Sequence, residues 1–345
     1  MNLKVSYKKH TFSFIHPAET SRGIYNSRDS WFIYISDGEA TGIGECPPLP
    51  GLSIDYSVDF EEKLKSICDD FNNDNLDLYS GLNDFPSIKF GFETASMDLF
   101  FGGKKKIFEN DFFNGTEKIK INGLIWMGSI EYMTQQVKEK LSNGFNCLKF
   151  KIGAFEDDSE IGIISSLREK FNDSELEIRV DANGAYSPEK AKIIIDKLAN
   201  LKVHSIEQPI KAGKIKEMAD LCNSSPVAIA LDEELIGKKT IDEKIDLLNA
   251  IKPQYLILKP ALLGGFCSSD EWISIAEKMG IEWWATSALE SAIGLNAIAQ
   301  WVCNYDIFLP QGLGTGKIYS NNFKSPLSLS GDYLFYDIHK KWSDI

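Results

Sequence analysis

From Lys118 onward the chain repeats one unit: a short apolar run followed by an amphipathic stretch with helical spacing. The runs fall at 119–127, 147–152, 177–182, 203–207, 228–232, 255–259, 281–286 and 306–310. Helices are predicted between them at 130–143, 158–171, 187–200, 213–223, 240–250, 268–279 and 290–302. Parallel strands cannot be joined by a tight turn. Each needs a long crossover, usually a helix, so this rhythm predicts a parallel sheet. Eight strands in roughly 200 residues suit a closed (β/α) barrel better than an open doubly wound sheet. No Gly-x-Gly-x-x-Gly follows any run, which removes the usual dinucleotide reading.

The first part of the chain has a different grammar. Trp31–Ser36 is rich in β-formers, and Ser36-Asp-Gly-Glu-Ala40 offers a turn into another short strand. Gly42–Ser53 carries three prolines and three glycines, which predicts a loop. Helices are expected at 54–70 and 86–101, the second with Phe90, Phe92, Ala95, Leu99 and Phe100 on its apolar face. The polar segment 72–77 between them reads as a loop. The division is therefore an α+β unit over residues 1–117, completed by about 320–345, and a (β/α) barrel over 118–319.

Composition narrows the function. A net charge of −13 argues against a nucleic-acid or anionic-membrane surface. No apolar run is long enough to span a bilayer, and the N-terminus lacks the apolar core of a signal peptide. The six cysteines (46, 68, 147, 222, 267, 303) show no metal or redox spacing and read as free buried thiols in a reducing cytoplasm. The four histidines are equally scattered.

Chemistry concentrates at the strand ends, where barrel enzymes build their sites. Cys147–Gly153 places Lys149 and Lys151 two residues apart in a strand, on one face. Mutual repulsion and burial are expected to favour the neutral amine and prepare a base. The next runs end in Asp181 with Asn183, in Glu207 before Gln-Pro, in Asp232-Glu-Glu234, and in Lys259 before Pro260. Alone, each has an ordinary structural explanation: a turn Asp, a solvated strand-end Glu, an acidic helix start, a rim lysine. Together they recur once per βα unit, at intervals of 25 to 30 residues. Three carboxylates on one rim repel one another unless a cation neutralises them, and Mg²⁺ is the natural choice. A cation that stabilises an enediolate, beside a lysine base, is equipment for removing a proton α to a carboxylate. Within 232–234, Asp232 is favoured as the ligand because the run Val227–Leu231 leads straight into it. Asn183 shares a face with Asp181 and is expected to position a metal-bound water or the substrate carboxylate.

Lys-x-Lys, Asp-x-Asn, Glu-Gln-Pro, Asp-Glu and Lys-Pro in this order resemble the enolase superfamily in its muconate-lactonising subgroup. Gly44–Ser53, Ser287-Ala-Leu-Glu-Ser291 with Gly294-Leu295, and Gly312-Leu-Gly-Thr315 narrow the resemblance to the o-succinylbenzoate synthase family of the menaquinone pathway. That resemblance implies a cytoplasmic lyase dehydrating 2-succinyl-6-hydroxy-2,4-cyclohexadiene-1-carboxylate. It implies Asp181, Glu207 and Asp232 as ligands of Mg²⁺ (or Mn²⁺) and Lys151 as the base. Lys259 would hold the enediolate from the opposite face, and Lys149 would tune Lys151 and help position the substrate carboxylate. The first unit would cap the site with its 47–53 loop, and backbone around Ser287 and Ser291 would lie near the succinyl end. N-Succinylamino-acid racemase and dipeptide epimerase are the alternatives within the superfamily. The absence of an acid in Pro310–Gly316 counts against a cationic substrate.

Overall fold

The computed structural model describes residues 3–20, 23–73, 81–153, 159–306 and 308–345. Positions 74–77 of the expected polar loop, residue 158 and residue 307 lie outside them. Strands β1 (Lys4–Thr20), β2 (Gly23–Ser36) and β3 (Thr41–Cys46) form an antiparallel sheet in that order. The β2–β3 turn closes where the sequence predicts, with Asp37 Oδ1 accepting from the amides of Glu39 and Ala40. Helices α1 (Phe60–Asn72) and α2 (Pro86–Phe100) cover one face of this sheet. Helix α1 starts later than the expected residue 54, because Asp55 is spent elsewhere: its carboxylate accepts from the amide and hydroxyl of Ser87. Strand β3 lies against α2 with its glycines inward. A Cβ on Gly42 or Gly44 would sit 2.0 Å or 1.9 Å from an α2 carbonyl oxygen, so only glycine fits.

The second layer alternates strand and helix. In chain order it comprises β4 (Lys118–Lys120), β5 (Gly123–Ile125), α3 (Ile130–Ser142), β6 (Cys147–Lys151), α4 (Ser159–Arg168), β7 (Glu177–Asp181), α5 (Pro188–Asn200), β8 (Ser205–Glu207) and α6 (Ile215–Ser224). There follow β9 (Ala228–Leu231), α7 (Ile241–Ile251), β10 (Tyr255–Leu258), α8 (Pro260–Leu263), α9 (Gly265–Lys278), β11 (Glu282–Ala285) and α10 (Ala292–Val302). Strands β5 to β11 form one parallel sheet in sequence order. Parallel bridges from Gly312 to Thr286 and from Gln311 to Ile121 join its two edges, so the sheet curls into a ring. The core lies between this ring and its helices, with Leu148, Ile178, Ile206, Ile229 and Leu256 inaccessible to solvent.

Two strands differ from expectation. The first run, 119–127, is divided between sheets. Strand β4 pairs with β13 (Tyr333–Tyr336), which pairs with β12 (Leu327–Ser330), and only β5 joins the ring. The last stave is Gln311–Gly312 rather than 306–310. Pro310 has no amide to give to a ladder, and its carbonyl accepts from Arg179 Nη1 at 2.8 Å. Beyond β13 the chain runs back to the first layer, where Trp342 and Ile345 pack against the cluster of Phe12, Phe32, Ile293 and Tyr319. Among the described residues no helix is long and apolar enough to cross a membrane. All six cysteines are free thiols, but Cys267 is exposed and Cys303 half-buried, against the expectation that all six are buried. Cys267 sits in the first turn of α9, outside the ring, where its amide donates to Glu93 of α2.

Candidate active site

Strand register brings the separated charges together. Lys151 pairs with Asp181 across β6–β7, and Asp181 pairs with Glu207 across β7–β8. Asp232 follows β9 directly, and Lys259 follows β10. In a ring of eight staves β6 and β10 stand opposite each other. Lys151 and Lys259 therefore come from opposite sides, with the three carboxylates on the staves between them. Both lysines, with Lys149 and Asn183, line a cavity of about 680 Å³ counting its open mouth.

The charges are buried and interlocked. Asp181 Oδ2 lies 3.0 Å from Lys149 Nζ and 2.6 Å from Lys151 Nζ. Lys149 also pairs with Glu207, and Lys259 with Asp232. Asn183 Oδ1 accepts from Lys151 Nζ at 2.7 Å, while its Nδ2 donates to Glu233 Oε1 at 3.0 Å. Burial would push the Asp181 carboxyl upward, but Lys149, Lys151 and Lys259 outweigh it and hold it well below the usual range. Glu207 is pushed up to about 8 by burial and by the neighbouring Asp181 charge. Burial works to lower Lys149, yet the Asp181 and Glu207 carboxylates overcome it and raise it. This reverses the expected direction for Lys149. The sequence brings a second lysine to mind as its neighbour, whereas the fold supplies two carboxylates at closer range.

Among the described residues, no group of three or more His, Cys, Asp or Glu side chains is arranged to hold a metal. Asp181, Glu207 and Asp232 instead face lysines. Their chemistry nonetheless suits a hard divalent cation: three oxygen-donor side chains on adjacent staves, all buried, with Glu207 Oε1 lacking any hydrogen-bond partner. Of the acidic run 232–234, Glu234 is turned away. It accepts from Gln208 Nε2 at 3.1 Å and from the amide of Gly213 at 2.8 Å. Gln208, the middle of Glu-Gln-Pro, also receives the amides of Asp232 and Glu234, which fixes where the Asp232 carboxylate begins.

The rest of the cavity wall comes from both layers. Leu49 and Leu52 reach in from the 47–53 loop, and Asn122, Leu124 and Trp126 from the first stave. Thr286 to Leu289, with Gly312, Gly314 and Thr315, contribute the far side. Ser287 is part of this wall, its hydroxyl donating to Glu290 Oε2 at 2.6 Å and accepting from the Leu289 amide. Ser291 is not. It caps α10, and its amide and hydroxyl both donate to Glu45. Leu289 has φ +66°, a left-handed backbone that costs a branched residue on the order of 1–3 kcal/mol.

Sequence reasoning missed Asn122, Trp126 and Thr286, as well as the supports Arg28, Glu45 and Glu290. None sits in a charge pattern. The position of Thr286 at a strand end, and the places of Glu45 in Gly44–Ser53 and of Glu290 in Ser287–Ser291, are the signals that could have drawn notice.

Two family profiles match the chain: "Enolase C-terminal domain-like" over residues 132–331 and "MenC, N-terminal domain" over residues 21–99. The chain is 42% identical to an o-succinylbenzoate synthase of Desulfotalea psychrophila, over 96% of this chain and 98% of that protein. The crystal structure of MenC from Desulfotalea psychrophila superposes with a TM-score of 0.83 at 39% identity, covering 97% of this chain and all of that one. The L-Ala-D/L-Glu epimerase of Bacillus subtilis reaches a TM-score of 0.81 at 20% identity, covering 97% and 96%, a likeness of fold alone.

Proposed function

We propose a function from one premise: the chain belongs to the enolase superfamily and, within it, to the o-succinylbenzoate synthases. It is a lyase of menaquinone biosynthesis, dehydrating 2-succinyl-6-hydroxy-2,4-cyclohexadiene-1-carboxylate to 2-succinylbenzoate. The observation that carries the residue assignment is the placement of Lys151 and Lys259 on opposite staves of one cavity, with Asp181, Glu207 and Asp232 between them.

In this reading Lys151 takes the proton α to the substrate carboxylate, and the electron pair moves into the carboxylate to give an enediolate. Lys259 supplies fixed positive charge from the other side. The enediolate electrons return to the ring, the carbon–oxygen bond breaks, and Lys151 gives its proton to the departing hydroxide as water. Proton removal and hydroxide departure then occur on one face, a syn elimination, and the product gains aromaticity. Asn183 holds the Lys151 amine in place through its side-chain oxygen. Lys149, kept charged by Asp181 and Glu207, fixes those carboxylates.

Members of this superfamily are typically divalent-metal dependent. Asp181, Glu207 and Asp232 would hold that ion, which we take to be Mg²⁺, with Mn²⁺ as a substitute; when bound it supplies positive charge for the enediolate oxygens. Ser287 lines the wall that would meet the succinyl arm. Residues 1–117 with about 320–345 form the capping unit, and 118–319 form the barrel. Six free thiols and the reaction itself fit a cytoplasmic location.

Among the described residues lining the cavity there is no Asp or Glu to pair with a substrate ammonium, which counts against a dipeptide epimerase. The test is a comparison of two substrates under the same Mg²⁺. Rapid, EDTA-sensitive loss of the diene absorbance without racemisation of an N-succinyl amino acid supports the synthase. Racemisation without loss of the diene would replace the substrate and keep the proton abstraction.

A further inference from the structure

We propose that Arg28 is a positioning residue that holds two walls of the substrate cavity at a fixed separation. Arg28 lies in β2, outside the cavity lining, and is 3% exposed. Its guanidinium joins segments more than 200 residues apart. Nη1 donates to the carbonyls of Ala288 and Leu289, each at 2.6 Å, and Nη2 donates to the carbonyl of Pro47. Pro47 begins the loop that carries Leu49 and Leu52 into the cavity, and Ala288 and Leu289 form the facing wall. A planar guanidinium can span two such segments in one fixed geometry. An ammonium on a flexible stem cannot.

Each side has a further anchor besides Arg28. Tyr25, on the same strand, donates from its hydroxyl to Pro50 O at 3.0 Å. On the barrel side Tyr319 donates to Leu289 O at 2.6 Å, and the Leu289 amide donates to Ser287 Oγ at 2.9 Å. Leu289 is thus gripped at both its amide and its carbonyl in a left-handed backbone that leucine does not choose. Arg28 is the link between the two anchored walls, so its loss should widen the cavity without disturbing the lysines.

The inference rests on this cavity being the substrate site. Arg28→Met in the full chain, assayed with Mg²⁺ and the cyclohexadiene carboxylate, should raise KM about tenfold or more while kcat changes less than threefold. Arg28→Lys should recover part of that loss. Kinetic constants within twofold of the parent, or a fall in kcat at unchanged KM, would overturn the proposal. If Arg28→Met fails to fold, Tyr319→Phe removes one of the two side-chain donors to Leu289 O and should raise KM in the same direction, about threefold; an unmoved KM there would also overturn it. Amide hydrogen exchange reads the link without any substrate. Faster exchange is expected in both 47–53 and 287–291, and acceleration in neither or in only one would again overturn it. Failure of the parent protein to consume the diene would then fall on the functional reading alone.

Discussion

Replacing Lys149 with methionine tests the electrostatic description of the site. Lys149 is 3% exposed and pairs with both Asp181 and Glu207. At the 3.0 Å separation from Asp181 and an effective dielectric of about 20, one pair is worth about 5 kcal/mol of Coulomb attraction. Removing the ammonium also removes the cost of burying it, which offsets part of that sum. The carboxylates stay behind in a dry site, and breaking a buried pair by deleting one partner typically costs about 3–5 kcal/mol. Methionine keeps most of the side-chain volume, so a cavity adds little. With EDTA present at pH 7.5, and a urea m-value of about 3 kcal/mol per molar, the midpoint of unfolding should fall by about 1 M. Mg²⁺ should restore part of the loss, since a bound cation returns positive charge to the same carboxylates. A midpoint shift below about 0.3 M in EDTA would refute the view that Lys149 is a structural counter-charge, because the buried pairs would then carry almost no net energy.

Lys151→Ala should abolish turnover with the circular dichroism spectrum retained; residual activity above about one per cent would move the base elsewhere. Mg²⁺ should raise the melting temperature with a concentration dependence set by mass action, and Asp232→Asn should remove most of that rise. An unchanged response in Asp232→Asn would shift the ligand to Glu233. Glu45→Ala should destabilise the chain by about 3 kcal/mol, because its carboxylate serves the hydroxyls of Ser30 and Ser291 and the amides of Ser291 and Gly294, tying β3 to the start of α10; urea unfolding checks this. Burial pushes Glu93 up to about 6, from an ordinary 4.5. A raised carboxyl contributes stability below its unfolded pKa and loses it as pH climbs through the folded one. The parent should therefore lose about 2 kcal/mol from this residue as pH rises from well below 4.5 to well above 6, and Glu93→Gln should flatten that part of the stability profile.

The repeating run-and-helix pattern after Lys118 was enough to specify a parallel ring, because a parallel strand needs a crossover and a hydrophobic period shows where each crossover runs. It also placed Asp181, Glu207, Asp232 and the lysines on one rim, since each charge closes an apolar run. What a one-dimensional pattern lacks is the neighbour across the ladder. Lys149 read as the companion of Lys151, yet in three dimensions it answers to Asp181 and Glu207. The run at 119–127 looked like one strand because periodicity cannot record that Ile121 gives its amide to Asp332 while Asn122 gives its own to Gln311. Pairing partners that far away also explain Arg28 and Glu45. Arg28 lies in no motif, and for both residues the importance comes from carbonyls, amides and hydroxyls that only the folded layers bring within reach. Which residues hold charge at the strand ends was written in the sequence. Which charges neutralise one another, and how far apart the cavity walls stand, was decided by register and by the docking of the first layer on the barrel, where hydrogen bonds form over distances that local propensity does not encode.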